Sequence, residues 1–436
     1  MSAKPKIAIC SRLNKGEALP IARIICKAPN NSGLMVDVNI IRAVCESACW
    51  DVIFANHTTN QPNSQPNSQP NSQSSGQIAN HQANQANINI FIEHVGCLDW
   101  QTKYPTLQYT TQKLTKTGQN CSFLLVNQEW LTDWDLMAIR AGVVPLYKTH
   151  YAEALFNKYI KIKGFYVGFG QYPLNYDKTA NLHNLSKFKS GPAQIPRCKG
   201  LAIHFAGSSP LKGTFGLLKA IYGAKCPAKP FILVVTLRDT YGQHRALLDW
   251  WAGLKPAKCT LPDSFITSFK NPPEALKTLE FSAVGNIYLY VGFMPEDLHD
   301  YLQAAAWLAV CPSMAEGFGH YINEARLNQV NVLTLDAPCM NELITDKSQL
   351  IPARLSGDIF HTLSHSWTKS LQKVYPVEIW EAADPAAMAQ MVIKSALSPM
   401  TKQTISICKA NRERAINEAQ EFAERLKKII NKFDTV

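Results

Sequence analysis

Apolar and polar positions along the N-terminal half follow a repeating order of buried strand, loop and helix. Short apolar runs that suit strands lie at residues 6–10, 51–54, 88–92 and 122–126. Between the first two runs, Val38, Ile41 and Val44 fall on one face of a helical pattern. Two further β-like runs occur within residues 144–170. This order predicts a parallel sheet covered by helices.

The C-terminal half repeats the same order more clearly. Five apolar runs predict strands at residues 201–206, 231–237, 287–293, 307–311 and 332–335. The run at 231–237 is continuously apolar, as expected for a strand that helices cover on both sheet faces. Charged and apolar residues at helical spacing over 401–433 predict a long terminal helix that packs back across the domains.

A length of 436 residues suggests two or three domains, at roughly 100–200 residues each. We predict an N-terminal domain over 1–185, a C-terminal domain over 198–400 and a terminal helix over 401–436. Residues 58–87 interrupt the first domain and contain three tandem copies of Gln-Pro-Asn-Ser. This segment has almost no apolar residue to bury, which predicts a disordered surface insertion.

The net charge of +11 favours anionic partners but does not choose among nucleotide phosphates, acidic lipids and nucleic acid. No recognisable nucleic-acid module occurs, so nucleic acid is not an expected partner. Twelve cysteines are scattered, several inside apolar runs and none as CxxC, which is typical of free thiols in a reducing compartment. Without a signal peptide or a long apolar segment, a cytoplasmic protein is expected. Peripheral contact between basic surface and membrane stays open.

The first chemical signal is the loop from Gly207 to Gly213, which follows a strand and opens a helix at 215–222. Glycine allows close backbone approach, and a helix N-terminus offers free amides and a positive dipole end. Lys212 adds a full charge where a diphosphate could bind. The alternative is an ordinary βα turn with a surface lysine. The spacing to the lysine is too short for a P-loop.

The second signal is the sequence Glu316-Gly317-Phe318-Gly319, followed by Glu324 in the early turns of a helix. Both carboxylates can face one crevice at the carboxyl end of a parallel sheet, where ligands bind in open α/β folds. Loop amides can hold phosphate or sugar oxygens, and a carboxylate accepts strongly from sugar hydroxyls. A turn carboxylate and a surface helix residue are the alternatives.

The spacing of Glu316 and Glu324, with Gly-Phe-Gly between them, resembles the E-x7-E motif of retaining GT-B glycosyltransferases, especially family 4. Residues 334–344, 291–298 and the Lys212 loop are also similar to that family, and the resemblance covers about residues 200–350. It implies an α/β GT-B fold, with two Rossmann-like domains facing each other across a donor/acceptor cleft. It also implies a nucleotide diphosphate sugar as co-substrate, no metal ion and no other cofactor.

The resemblance further implies roles for individual residues. Lys212 would neutralise the donor diphosphate, Glu316 would contact donor-sugar hydroxyls, and Glu324 would bind ribose. The implied donor-binding set is Gly207, Ser208, Gly213, Arg238, Gly292, Gly317, Phe318, Gly319 and Glu324. Ser208 stands where the family often has an arginine, so Arg238 is a candidate for the second diphosphate cation by location.

In the N-terminal half, His94 follows a strand, and some relatives use a histidine at a comparable place to contact the donor sugar. We predict it as a third catalytic residue beside Glu316 and Lys212; an ordinary loop or core histidine is the alternative. Gly33 and Glu129 are predicted on the acceptor side. Residues 127–130 and 148–149 also follow strands and could contact donor or acceptor.

These features together predict a retaining, hexosyltransferase-type enzyme. It would move sugar from a nucleotide diphosphate sugar to a hydroxyl of a glycan or glycolipid, in polysaccharide or glycolipid assembly. A catalytically silent nucleotide-sugar-binding protein and a sugar-nucleotide epimerase of the same architecture are the two rival interpretations.

Overall fold

A computed structural model describes residues 21–26, 51–56, 88–92, 121–140, 142–171, 196–224, 231–239, 242–358 and 377–434, with residues 37, 38, 41, 42 and 45. The predicted strand at 6–10, the insertion at 58–87 and the domain boundary between 185 and 198 lie outside these residues.

The first sheet has six parallel strands in the order β2-β1-β3-β4-β5-β6. They are β1 (Ile21–Cys26), β2 (Asp51–Asn56), β3 (Ile88–Ile92), β4 (Cys121–Val126), β5 (Val144–Tyr147) and β6 (Phe165–Tyr166). The associated helices are α1 (described at residues 37, 38, 41, 42 and 45), α2 (Asp133–Arg140) and α3 (His150–Leu155), which continues as a π-helical turn over Phe156–Ile160. We call this part the N-lobe.

The second sheet has eight strands in the order β14-β13-β12-β7-β8-β11-β10-β9. They are β7 (Cys198–Gly207), β8 (Ile232–Leu237), β9 (Ala257–Cys259), β10 (Phe281–Val284), β11 (Ile287–Val291), β12 (Ala306–Cys311), β13 (Asn331–Leu335) and β14 (Leu350–Ile351). Strand β10 runs antiparallel to both of its neighbours, β9 and β11, and the other described pairs in this sheet are parallel. We call this part the C-lobe.

Helices connect most strands of the C-lobe and supply apolar side chains to its core. They are α4 (Thr214–Gly223), α5 (Arg245–Gly253), α6 (Asp263–Ile266), α7 (Glu274–Thr278), α8 (Glu296–Ala305), α9 (His320–Leu327), α10 (Met340–Leu343) and α11 (Pro385–Leu397). A separate antiparallel pair joins β15 (Ala353–Asp358) to β16 (Glu378–Ala382). No described helix combines the length and apolarity that crossing a bilayer requires.

The last helix, α12 (Lys402–Asp434), contacts both lobes. In the C-lobe, Glu418 forms an ion pair with the buried Arg326 of α9. On the N-lobe side, the Arg425 guanidinium of α12 lies 5.1 Å from the ring centroid of Tyr166, which belongs to β6. Phe422 packs against Phe169 between these points. The helix therefore spans the junction of the two lobes.

Each sheet has a switch point, where the strand order reverses and the loops that follow diverge. In the N-lobe it lies between β1 and β3, and in the C-lobe between β7 and β12. Crevices at the carboxyl ends of strands beside such a point are the usual ligand sites of open α/β sheets.

Candidate functional site

Four adjacent C-lobe strands carry the predicted donor-site residues to one edge of the sheet. In spatial order, β12, β7, β8 and β11 are followed by the Glu316 loop, the Lys212 loop, Arg238 and Gly292. Because these strands are parallel, the residues that follow them lie at the same edge. The Glu316 and Lys212 loops flank the switch point.

A short 3₁₀ turn over Pro210–Lys212 positions the lysine after β7. Ser209 caps this turn by accepting from the Leu211 amide, and Gly213 follows with a φ of 69° before α4 begins. The Met314 amide donates to the Leu211 carbonyl at 2.7 Å, which ties this loop to the Glu316 loop. Gly207 and Ser208 are exposed at the end of β7.

Lys212 and Glu316 form a hydrogen-bonded ion pair through Nζ and Oε1. The Glu316 side chain is 5% exposed and the Lys212 side chain 18%. The same carboxylate oxygen accepts from the Ser313 hydroxyl at 2.5 Å. The Lys212 ammonium also lies 4.4 Å from the ring centroid of Tyr321. A largely desolvated cation and carboxylate thus meet at the switch point.

His204 lies in β7, the strand that precedes the Lys212 loop. Its Nδ1 donates to the Val310 carbonyl at 2.7 Å, so its Nε2 accepts from the Thr214 hydroxyl at 2.9 Å. Burial lowers its pKa to about 4, so the imidazole is neutral at pH 7. These two bonds join β7, β12 and α4, which are the elements that adjoin the loops carrying Lys212 and Glu316.

The N-lobe contacts the glycine loop through the residues that follow β4. Glu129 Oε1 accepts from the Gly317 amide at 2.6 Å, and Gln128 Nε2 donates to the Glu316 carbonyl at 2.5 Å. A Cβ at position 317 would overlap the side chains of Asn127 and Glu129, so this approach requires glycine. Glu129, predicted on the acceptor side, therefore binds the loop predicted to hold the donor.

Phe318 and Gly319 complete the glycine loop. The Phe318 ring is buried with its centroid 4.8 Å from that of Phe169, so this side chain packs in the lobe junction. Gly319 caps α9 with a φ of 86°. In this conformation the Gly317 amide is bonded to Glu129 and the Phe318 ring is buried, so a ligand cannot contact that ring.

A buried charge cluster joins the lobes beside this loop. Asp37 of α1 is fully buried, with Lys148 Nζ 2.9 Å from Oδ2 and His320 Nε2 3.0 Å from Oδ1. Burial alone would raise the pKa of Asp37, but the charges of Lys148 and His320 outweigh it and lower that pKa. The sequence indicated Lys148 by its place after a strand. Asp37 and His320 carried no such signal.

Two more residues of the 334–344 stretch contact the N-lobe. The Glu342 carboxylate accepts from the first amides of α3, at 2.9 Å from His150 N and 2.8 Å from Tyr151 N. Cys339 has a φ of 70°, a left-handed conformation that side chains rarely adopt. Its buried Sγ accepts from Gln128 Nε2 at 3.1 Å, and burial raises the pKa of this thiol.

Glu324, in the second turn of α9, lies between two buried glutamines. Its Oε1 accepts from Gln171 Nε2 at 3.1 Å and its Oε2 from Gln303 Nε2 at 3.4 Å. Burial lowers the pKa of nearby His299, but the hydrogen bond to Asp300 and the charge of Glu324 outweigh burial and raise it. Sequence reasoning missed both glutamines, because nothing local to either marks an approach to α9.

Arg238 and Gly292 lie at the ends of β8 and β11. The Arg238 amide donates to the Gly207 carbonyl at 2.8 Å, and the Gly292 amide to the Leu237 carbonyl at 2.9 Å. The Arg238 guanidinium lies 4.4 Å from the ring centroid of Phe293, which is 64% exposed. A cation and an exposed aromatic face thus lie together at Arg238 and Gly292, two residues of the predicted donor-binding set.

Two predicted residues, His94 and Gly33, lie outside the described residues, although both follow strands that flank the N-lobe switch point. Among the residues that the structure describes, no group of three or more His, Cys, Asp or Glu side chains could hold a metal ion.

A cavity of about 610 Å³ lies at the lobe junction. Its walls include Lys148, Tyr166, Phe318, Glu342 and Arg414, the last from α12. Neither Lys212 nor Glu316 lines it. This cavity therefore lies beside α12 and apart from the Lys212–Glu316 pair.

No protein-family model matches this sequence, and no curated protein matches it. Solved structures do resemble the fold. A sucrose-phosphate synthase from Thermosynechococcus elongatus is 10% identical with a TM-score of 0.54, over 96% of this chain and 100% of that one. An α,α-trehalose-phosphate synthase (UDP-forming) from Burkholderia vietnamiensis has the same values. The N-terminal domain of a Candida albicans trehalose-6-phosphate phosphatase is 9% identical with a TM-score of 0.52, over 100% and 99%.

These likenesses span nearly the whole of both chains. At such low identity they show the fold alone. The chain has the GT-B fold predicted from its sequence, with two Rossmann-like α/β domains.

Proposed function

We propose that this protein is a retaining glycosyltransferase, which moves a hexosyl group from a nucleotide diphosphate sugar to a hydroxyl of a glycan or glycolipid. The observation that carries the proposal is the Lys212–Glu316 pair at the C-lobe switch point of a GT-B fold. The two loops that the sequence indicated separately meet at the place where this architecture binds ligands.

Lys212 would stabilise the leaving diphosphate. Negative charge develops on that group as the glycosidic bond breaks, and a fixed cation in a desolvated site stabilises it strongly. The ammonium now contacts Glu316, so donor binding would exchange that partner for a phosphate oxygen. Arg238, at the end of the adjacent strand β8, would supply the second cation that Ser208 does not provide.

Glu316 would then accept from hydroxyls of the transferred sugar, while the Gly317–Gly319 amides hold sugar or phosphate oxygens. Glu324 would bind the ribose, and Gly292 with Phe293 would border the base. In a same-face mechanism, the bond from the anomeric carbon to phosphate breaks as the bond to the acceptor oxygen forms. The acceptor proton passes to the leaving phosphate, so no protein nucleophile is required.

We propose His94 as the third catalytic residue, in contact with the donor sugar, and Gly33 and Glu129 on the acceptor side. In this conformation, Glu129 and Gln128 cover the glycine loop. Donor entry would therefore require the lobes to separate, and closure over the donor would follow.

The test is release of nucleoside diphosphate from a panel of nucleotide sugars, with and without glycan and glycolipid acceptors. We expect release from one donor, reduced at least about 100-fold in Lys212→Met and Glu316→Gln. Lys219→Met, an exposed lysine on α4, is the matched control and should release at the wild-type rate.

Two results would contradict the proposal. Donor binding without release by the wild type would favour the silent sugar-nucleotide-binding protein. Interconversion of two nucleotide sugars without transfer would favour the epimerase. A product whose anomeric configuration is inverted relative to the donor would overturn the retaining mechanism alone.

A further inference from the structure

The carboxylate of Glu324 is held by one buried glutamine on each side. Oε1 accepts from Gln171 Nε2 at 3.1 Å and Oε2 from Gln303 Nε2 at 3.4 Å. Gln171 is 3% exposed and Gln303 is 1% exposed. Because a carboxylate only accepts hydrogen bonds, these contacts also decide which end of each amide is nitrogen.

The two glutamines come from different parts of the molecule. Gln303 lies on α8 in the C-lobe, next to α9. Gln171 follows β6 of the N-lobe, and Gly170 before it packs so closely on Ala419 of α12 that a Cβ would overlap that backbone. Gln171 is thus held against Glu324 by the contact of Gly170 with α12.

The two glutamine contacts determine the orientation of the Glu324 carboxylate. One N–H bond to each oxygen fixes the carboxylate plane and leaves a further lone pair on each oxygen. Beyond it, Gln171 Oε1 and Gln303 Oε1 are buried and accept no hydrogen bond from any described residue. Buried acceptors without donors are rare, because each forfeits its bonds to water. Three acceptor groups, the Glu324 carboxylate and the two amide oxygens, therefore lie together with unused acceptor capacity.

We propose that Gln171 and Gln303 are positioning residues, which hold Glu324 so that its two oxygens accept from both hydroxyls of the donor's ribose. A vicinal diol supplies two O–H donors side by side, which matches the two remaining lone pairs. A 2′-deoxyribose supplies one and leaves the other carboxylate oxygen without its partner. The pair thereby makes the site selective for ribonucleotides. This inference rests on the proposed function.

Both lobes contribute to this site. Gln171 belongs to the N-lobe, whereas Glu324 and Gln303 belong to the C-lobe. The ribose site is therefore complete only when the segment after β6 packs against both α12 and α9.

The experiment measures dissociation constants by calorimetry for UDP, GDP and ADP and for their 2′-deoxy forms. The wild type should bind one ribonucleotide about tenfold more tightly than its deoxy form, the value of about one hydrogen bond to a charged group. Gln303→Leu and Gln171→Leu should each weaken that ribonucleotide about tenfold and leave the deoxy form nearly unchanged. The discrimination should then approach one.

Gln349→Leu is the matched control. Gln349 is an equally buried glutamine that bonds to Asn331 and Asn411, not to Glu324. Its substitution should lower stability while the tenfold discrimination persists. Gln303→Met and Gln171→Met keep the side-chain length and remove the donor, so they replace any leucine variant that does not fold.

The outcomes separate the two proposals. Wild-type discrimination in folded Gln171 and Gln303 variants would overturn the positioning role, as would equal loss of ribonucleotide and deoxynucleotide affinity. If the wild type binds none of the six nucleotides, the proposed function itself falls, and this role with it.

Discussion

His204 shows at the scale of one residue how burial fixes charge near the candidate site. Its pKa is lowered to about 4 by burial, whereas histidine in the unfolded chain titrates near 6.5. Between these values the unfolded chain binds the extra proton. The stability that neutral His204 contributes is therefore present above pH 6.5 and is lost as pH falls toward 4.

We expect the free energy of unfolding to fall by about 2 kcal/mol between pH 7.5 and pH 5 because of this one group. Urea unfolding at both pH values measures it. His204→Gln, which can bond to Val310 and Thr214 without taking a proton, should show a pH dependence smaller by that amount. The exposed His150→Gln should behave as the wild type, and equal pH dependence in all three proteins would contradict the argument.

The ion pair of Lys212 with Glu316 should contribute to the free energy of unfolding. Lys212→Met leaves a largely buried carboxylate without its cation, which should lower the free energy of unfolding by about 3 kcal/mol. Adding Glu316→Gln should recover part of that loss, because the uncompensated charge is gone. Chemical denaturation of the two single variants and the double variant gives the coupling energy. Additive effects would mean that the two side chains do not interact.

At the scale of elements, α12 depends on one buried guanidinium. Arg326 of α9 is fully buried, and its NH1 donates to Glu418 of α12 at 2.8 Å and to Asn323 at 2.6 Å. Glu418 also accepts from Arg414 one turn earlier. A single carboxylate therefore neutralises the buried cation that joins α12 to the helix carrying Glu324.

Glu418→Ala should destabilise the protein by about 3 kcal/mol, since it leaves the Arg326 charge buried and unpaired. Glu413→Ala, an exposed position on the same helix, should change stability by less than about 0.5 kcal/mol. Thermal or urea unfolding of the two variants compares them directly. Similar effects from both would show that the ion pair does not hold α12 in place.

Most strands were predicted to within a few residues, but the first strand and some short strands were missed. β1, Ile21–Cys26, carries Arg23 within its apolar run, and the first strand was expected at residues 6–10 instead. The antiparallel strands β9 and β10 are short and partly exposed at the sheet edge, where little burial is needed. Apolar periodicity records burial, and it fails where a strand is only half covered.

At the scale of the whole molecule, each lobe places a carboxylate on backbone amides of the other. Glu129 of the N-lobe accepts from Gly317, and Glu342 of the C-lobe accepts from His150 and Tyr151. These bonds join the lobes at two separate points. In this form the N-lobe covers the glycine loop that begins at Glu316.

The double variant Glu129→Ala/Glu342→Ala should shift the ligand-free protein toward separated lobes. Small-angle X-ray scattering should report a larger radius of gyration than in the wild type, and saturating nucleotide should reduce the difference. Glu153→Ala, on α3 with its side chain 3.4 Å from His150 of the same helix, is the control and should scatter as the wild type. An unchanged radius in the double variant would show that other contacts hold the lobes together.

The sequence by itself determined the α/β class, the two-sheet organisation and the two loops that carry Lys212 and Glu316, because strand periodicity and the order of turns are local properties of a chain. The tertiary structure alone decided which side chains meet. Lys212 and Glu316 are 104 residues apart, Glu129 and Gly317 are 188, and Gln171 and Glu324 are 153. Burial patterns show that an element is covered but not what covers it. These partnerships therefore depend on strand order and lobe packing.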